Sequence, residues 1–417
     1  MSEASSVSPA LPERIKSALG SIYGGHFWLL FGASFMLNIV MNLLVLYPLF
    51  IVKLGGGASA IGAIIGTGSL AALVSRPGTS AAITWRGRRW TACWGLALNA
   101  LAMLWLIPLK TIGWSIFAAT ALAGVANGSA RVALFAMLYD ILPAGRQGET
   151  MSIFSLSSMI PAIFAALVGE LILQRSGFTA FFITAAVISA IAGGIVLMLA
   201  DDHPGNASPH GGAAEINEMV SYASLLADPA LLMLWLITLV FGLALASRNS
   251  FVAPFGVAEG IANVGWYFTI YSAVATVVRL GGRVMDRIGL ERILIPSLAI
   301  NGAGIALVAL TGHYGMLYIA AAIGGLGHGF VYPALSALVI KHTPPREMGR
   351  ASTIYTSLWD LSAMAGPYLF GLTAEFAGYA LMFLIAGALA IAGAILCGTQ
   401  CRRGGSQAAG AASRLGP

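Results

Sequence analysis

Long apolar runs, broken by short polar stretches, follow one another along almost the whole chain. They do not alternate apolar with polar residues as barrel strands do, and Gly and Ala are spread through them as in helices packed inside a bilayer. A hydrocarbon core about 30 Å thick takes roughly 20 helical residues per crossing. The runs therefore predict spans near residues 27–51, 57–83, 90–109, 112–139, 150–173 and 178–200. A second series follows near 230–255, 260–285, 292–311, 314–339, 350–373 and 376–398. The expected fold is an all-α membrane protein of about twelve spans, two six-helix bundles at 27–200 and 230–398. Between them, "DDHPGNASPHGGAAEINEMVSYASLLADPA" is rich in Gly, Pro, Asn and acids, so 201–229 is predicted to be a linker. Residues 1–26 and 399–417 are expected to be polar tails. The first run, starting near Phe27, is too long for the core of a signal peptide, so no cleavable leader is expected.

Composition agrees with this pattern. Of 417 residues 58% are hydrophobic and 9% charged, with a mean hydropathy of +0.85, whereas a soluble domain carries about 25% charged residues. So few charges cannot clothe a water-soluble surface, and lipid is the expected solvent. The net charge of +6 is spread over short loops and not gathered on one face, which argues against nucleic acid as a partner. Cys93, Cys397 and Cys401 form no disulfide framework, and no histidine stands near the last two, so neither metal nor cofactor is expected. The chain has no phosphate loop, catalytic serine elbow or metal-binding helix motif, which speaks against an ATP-driven pump and against an enzyme.

Lys and Arg set the orientation. With the N-terminus in the cytoplasm of the plasma (bacterial inner) membrane, Arg86, Arg88, Arg89, Arg146, Arg287, Arg292, Lys341, Arg346 and Arg350 fall inside. Lys53, Lys110 and Arg175 fall outside. An even number of spans returns the C-terminus to the cytoplasm.

The two series also repeat each other. "LPAGRQGETMSIFSL" aligns with "TPPREMGRASTIYTSL", so that Pro143 meets Pro344 and Gly148 meets Gly349. The same offset pairs Gly128 with Gly329, Asn127 with His328 and Gly124 with Gly325. Nearly the same offset pairs Gly87 with Gly289 and Thr84 with Asp286. Two six-helix halves in one orientation are a repeat plan of secondary transporters.

At these residues the chain resembles the major facilitator superfamily, whose signature between the second and third helices reads Gly-x-x-x-Asp-Arg-x-Gly-Arg-Arg/Lys, with a weaker copy between the eighth and ninth. Here "GGRVMDRIGLER" matches at Gly282, Asp286, Arg287 and Gly289, while Leu290 and Glu291 replace the basic pair. "GTSAAITWRGRR" keeps Gly87, Arg88 and Arg89 but has Ser80 and Thr84 for the glycine and the aspartate. "GHGFVYPALSALVIKHTPPREMGRAS" and "AGPYLFGLTAEFAGY" are similar to the superfamily's tenth to twelfth helices. The resemblance implies a gate in which the aspartate pairs with a basic partner and latches the cytoplasmic side in the outward-facing form. For Arg86, Arg88 and Arg89 the alternative is that they set topology alone. Drug–proton antiporters of the family carry a Gly-Pro pair late in the fifth helix; here Pro161 lacks the preceding glycine.

A charge at membrane depth should face a cavity or a partner. Asp360, in "YTSLWDLSAMAGP", is the first candidate for carrying a proton, with His328 and Glu170 behind it; each could instead serve packing or a structural hydrogen bond. Arg131 and Arg248 are deep cations suited to a carboxylate or phosphate, or they are counter-ions to Asp360 or Glu170, or they snorkel. Arg76 and Arg279 are placed as gate or helix-end residues. Asn38, Asn42, Asn127, Trp266, Tyr267, Tyr271, Trp359 and Tyr368 are candidates to line a central cavity, the tryptophans and tyrosines alternatively being packing or interface anchors.

The resulting expectation is a monomeric, proton-coupled secondary transporter exporting a small metabolite or drug-like compound, possibly with an acidic group. Uptake of an organic anion or sugar is the alternative within transport. A non-transporting sensor on the same fold is the alternative outside it.

Overall fold

The computed structural model describes residues 24–142, 146–199, 222 and 224–414. The predicted N-terminal tail up to residue 23, linker residues 201–221 and 223, Pro143, and the side chains of Asp286 and of all residues from 399 onward lie outside that description. Among the described residues there are helices and turns and no strand.

The first half opens with α1 (Gly25–Leu43), which passes through a tight turn at Leu44–Leu46 into α2 (Tyr47–Lys53). Pro48 stands in the first turn of α2, where its missing N–H costs nothing. The predicted span 57–83 is a bent pair, α3 (Ala58–Val74) and α4 (Arg76–Arg86), meeting at 45°. Pro77 explains the bend, because its ring clashes with the carbonyl four residues back. Then come α5 (Arg88–Leu106), α6 (Trp114–Asp140) and α7 (Gln147–Leu197). The second half contains α8 (Pro229–Ala258), α9 (Gly265–Leu280), the short α10 (Arg283–Ile288), α11 (Leu290–Val308), α12 (Tyr314–His342) and α13 (Met348–Arg414).

A straight helix of 51 residues would be about 77 Å long, and α7 is not straight. Gly177 leaves the helical region at φ 72°, and the chain folds back there: a Cβ on Gly169 would lie 3.2 Å from Phe181. Twelve residues of continuous helix would hold the two about 18 Å apart. Gly378 breaks α13 in the same way, at φ 81°. Among the described residues seven helices are long and apolar enough to cross a membrane, eight if α3 and α4 are one crossing.

The duplication shows in the backbone. The glycines with positive φ fall into pairs at nearly one offset: Gly55 with Gly260, Gly87 with Gly289, and Gly177 with Gly378. At Gly87 (φ 90°) and Gly289 (φ 93°) one residue turns one helix into the next, a conformation that costs an ordinary residue about 1–2 kcal/mol. Helix contacts repeat as well. A Cβ on Gly124 would lie 2.0 Å from the Gly68 carbonyl oxygen, and one on Gly325 would lie 2.4 Å from that of Tyr271. So α6 crosses α3 as α12 crosses α9, through small residues that let backbones touch.

The halves meet along two seams, α3 with α13 and α7 with α9. Both seams are closest at the end carrying residues 54–57 and 259–264. There a Cβ on Gly62 would lie 2.2 Å from the Pro367 carbonyl oxygen, and one on Gly371 would lie 2.6 Å from that of Ala58. The opposite end carries the Gly87 and Gly289 turns and most of the arginines. It is called the basic end below.

Candidate functional site: a charged cavity between the halves

A cavity of about 540 Å³ lies between the halves. The first half lines it with Asn42 of α1 and with Asn127 and Arg131 of α6. The second half contributes Arg248 of α8, Phe268 of α9, and Trp359 and Asp360 of α13. Gly68, Gly124 and Gly128 also face it, so the small residues that allow close helix packing leave the space as well. Arg131, one turn nearer the basic end than Asn127, keeps 51% of its side chain exposed. Because both seams are closest at the far end, the cavity widens toward the basic end.

Asp360 is an ionic hub. It pairs with Arg76 and lies 3.9 Å from Arg131. Both arginines come from the first half, so one carboxylate of the second half ties the two together across the cavity. A carboxylate at this depth requires such partners. Arg248 solves the same problem differently. Its guanidinium lies 3.9 Å from the Tyr271 ring centroid, over the ring face, and donates to Asn249, which makes it a cation held by π-electrons and an amide. Two arginines thus meet the acid, and a third lines the same cavity. The surplus is positive, and it suits an anionic group.

Several predicted lining residues stand elsewhere. Asn38 turns inward and donates to the Ser34 carbonyl at 2.8 Å. Tyr271 lies beneath Arg248, and its hydroxyl accepts from Asn301 at 3.0 Å. Trp266 is exposed and Tyr267 is fully buried; neither lines the cavity, and neither does Tyr368. His328 sits behind the wall, its ring 5.5 Å from Tyr271 and 5.6 Å from Phe241, and its Nδ1 is buried without a hydrogen-bond partner among the described residues. Glu170 is outside the cavity, at the closed end.

The sequence profile of the Major Facilitator Superfamily matches residues 27–280 and 250–401, most of the chain. The chain belongs to that superfamily. Among relatives of this major facilitator protein, the staphylopine export protein of Staphylococcus aureus is 24% identical over 364 residues, 86% of this chain and 90% of that one. The multidrug resistance protein MdtG of Enterobacter lignolyticus is also 24% identical, over 75% of each chain. The crystal structure of the nucleoside transporter NupG superposes with a TM-score of 0.76 over 90% of this chain and 99% of its own, at 15% identity, which shows a shared fold.

The two loops that resemble the superfamily's signature take distinct forms here. In the first copy, Thr84 donates to the Ser80 carbonyl at 3.1 Å, a bond within its own helix. Arg88 pairs with Asp140 and ties α5 to α6, while Arg89 reaches the Leu197 carbonyl at 2.5 Å. In the second copy Arg287 is exposed, and Glu291 meets Lys341 at 3.4 Å, tying α11 to α12.

Reading the chain alone missed two sets of polar groups. Asn127 donates to Asn99 at 2.8 Å, and Asn99 donates to Ser189 at 2.8 Å, a relay that holds the cavity wall. Arg76, read as a gate or helix-end residue, does begin α4, and it is also the partner of Asp360. A lone asparagine in an apolar run carried the first signal, and Pro77 beside Arg76 carried the second, since a bend can aim a side chain inward.

Proposed function

We propose that this membrane protein is a proton-coupled secondary transporter that exports a small metabolite or drug-like compound bearing an acidic group. The observation that carries the proposal is the cavity between two related halves, with Asp360 paired to Arg76 and near Arg131, and with Arg248 in the same lining. Export draws support from relatives whose names describe export and multidrug resistance. The positive-inside rule puts the basic end and both termini in the cytoplasm of the plasma membrane. On that orientation the cavity faces the cytoplasm, the loading side of an exporter. Twelve crossings in two sets of six rock about the midplane site. One chain holds the whole cavity, so the working unit is a monomer, and Asp286 with Arg287 belongs to the gate that closes the basic end.

Coupling follows from shared partners. Ionised Asp360 occupies Arg76 and Arg131; protonation removes its charge and frees both arginines. A cargo that, beside its acidic group, offers Asp360 a positive group or hydrogen-bond donors excludes the proton, and an inward proton gradient then drives export. A cargo with an acidic group alone competes with ionised Asp360 for the arginines and binds together with a proton. That linkage drives uptake, and the Arg131–Asp360 contact is the observation favouring this second reading.

Proteoliposomes with an imposed pH gradient test both. Asp360→Asn abolishes gradient-driven movement of cargo while equilibrium binding persists; unchanged uphill transport removes Asp360 from the mechanism. The direction of movement in the unmodified protein separates export from uptake. Arg131→Gln weakens binding of anionic compounds about tenfold more than of neutral analogues, and equal losses would argue against recognition of charge.

A further inference from the structure

The closed end holds two glutamates that reach across the seams. Glu375 of α13 accepts the backbone N–H of Ser59 at 3.1 Å, in the first turn of α3. Glu170 of α7 accepts the backbone N–H of Gly265 at 2.8 Å, at the start of α9. Each glutamate thus belongs to one half and binds the first turn of a helix in the other. The two bonds sit on the two seams. The offset that pairs Gly177 with Gly378 matches Glu375 to Gln174 and Glu170 to Gly371, so the glutamates stand about one turn apart in the repeat.

We propose that Glu170 and Glu375 are paired gating residues that hold this end of the pathway shut. The proposal rests on alternating access as the mode of action. The first N–H groups of a helix have no partner within it, and a carboxylate there gains both a charge-assisted bond and the helix dipole. Such a cap normally comes from the residue just before the helix. Here that residue is Gly57 for α3 and Val264 for α9, and neither supplies a side-chain cap. The bond comes from across the seam instead.

The glycines make the room. A Cβ on Gly57 would lie 2.5 Å from Glu375 Oε2, and one on Gly265 would lie 2.6 Å from Glu170 Oε2. A neighbouring bond, from Gln174 Nε2 to Asn263 Oδ1 at 3.2 Å, also crosses the α7–α9 seam. Any conformation open at this end separates α3 from α13 and α7 from α9. Both caps therefore exist in the closed state alone, and each biases the protein toward it.

The test places spin labels at Lys110→Cys and Leu310→Cys, loop positions of the two halves at this end, with Cys93, Cys397 and Cys401 replaced by serine. Distances are measured in lipid nanodiscs. Glu170→Gln and Glu375→Gln each raise the open fraction at this end about tenfold, and the double variant raises it about a hundredfold. Gly57→Ala displaces the Glu375 carboxylate, and Gly265→Ala displaces that of Glu170 together with the adjoining backbone of Ala166 and Leu167; both reproduce the shift and serve if a glutamine variant fails to fold. Lowered melting temperatures with unchanged distance distributions would reduce the glutamates to ordinary helix caps and overturn the proposal. If the labels in the parent protein never move apart at any pH, alternating access itself fails; if they move but ignore all four substitutions, only the gate fails.

Discussion

The two halves agree in backbone and disagree in chemistry. The turn glycines Gly87 and Gly289 match, and so do the crossings through Gly124 and Gly325. Yet the ion pair at the basic end is reversed in sign: Arg88 at the start of α5 meets Asp140 of α6, whereas Glu291 at the start of α11 meets Lys341 of α12. Helix contacts demand a particular backbone and a small residue, while an ion pair demands only opposite charges within reach. The cavity continues the divergence. The first half supplies Arg76 and Arg131; the second supplies Asp360 and an arginine resting on tyrosine. A duplicated frame thus encloses an unsymmetrical site.

The frame is broken most severely at its glycine crossings. Gly124→Ala and Gly325→Ala drive a methyl into a backbone oxygen at 2.0 and 2.4 Å, and each should cost about 3 kcal/mol by thermal unfolding in detergent. The next turn distinguishes the halves. A Cβ on Gly128 meets Ala72 at an ordinary 3.4 Å, whereas one on Gly329 would lie 2.6 Å from Val278. Gly128→Ala is expected to be neutral or to gain up to about 1 kcal/mol of helix propensity; Gly329→Ala is expected to lose about 1–2 kcal/mol. Equal effects at the two positions would mean that the crossings are more alike than their contacts.

The reversed ion pairs give a smaller contrast. The Arg88 side chain is 15% exposed beside Asp140, while Lys341 and Glu291 are 60% and 43% exposed. Asp140→Asn leaves a largely covered guanidinium without its carboxylate and should cost about 1–2 kcal/mol. Glu291→Gln should cost less than about 0.5 kcal/mol, because water and salt already screen that pair. Melting curves at low and high salt decide it: a salt-sensitive loss at Glu291 as large as that at Asp140 would contradict the exposures.

Helices and their duplication were legible in the chain because a bilayer demands long apolar runs and close helix packing demands glycine. Asp360, Arg131 and Arg248 were legible because a charge inside such a run has nowhere to go but a cavity or a partner. Helix rotation was not. When one face of a helix meets lipid and the other meets protein, both are apolar, and the pattern does not say which way Asn38, Trp266 or Tyr271 points. The bond between Glu375 and Ser59 was hidden for a different reason. It joins segments from opposite halves, and an acid at the end of a span reads as a loop residue until the facing helix start is in view.

His328 gives the finest test of the comparison. Its counterpart Asn127 faces the cavity and is fixed by Asn99, whereas His328 is held between Tyr271 and Phe241, behind Arg248. The expected role of the imidazole is packing between the two aromatic rings. His328→Gln should leave the transport rate within about twofold and its pH profile in place, since only a titrating histidine would shift that profile. The measurement is the initial rate in proteoliposomes across the range from mildly acidic to mildly alkaline. A displacement of the profile by more than about half a pH unit would make His328 a proton carrier, and would mean that the second half holds its coupling chemistry behind the cavity wall as well as at Asp360.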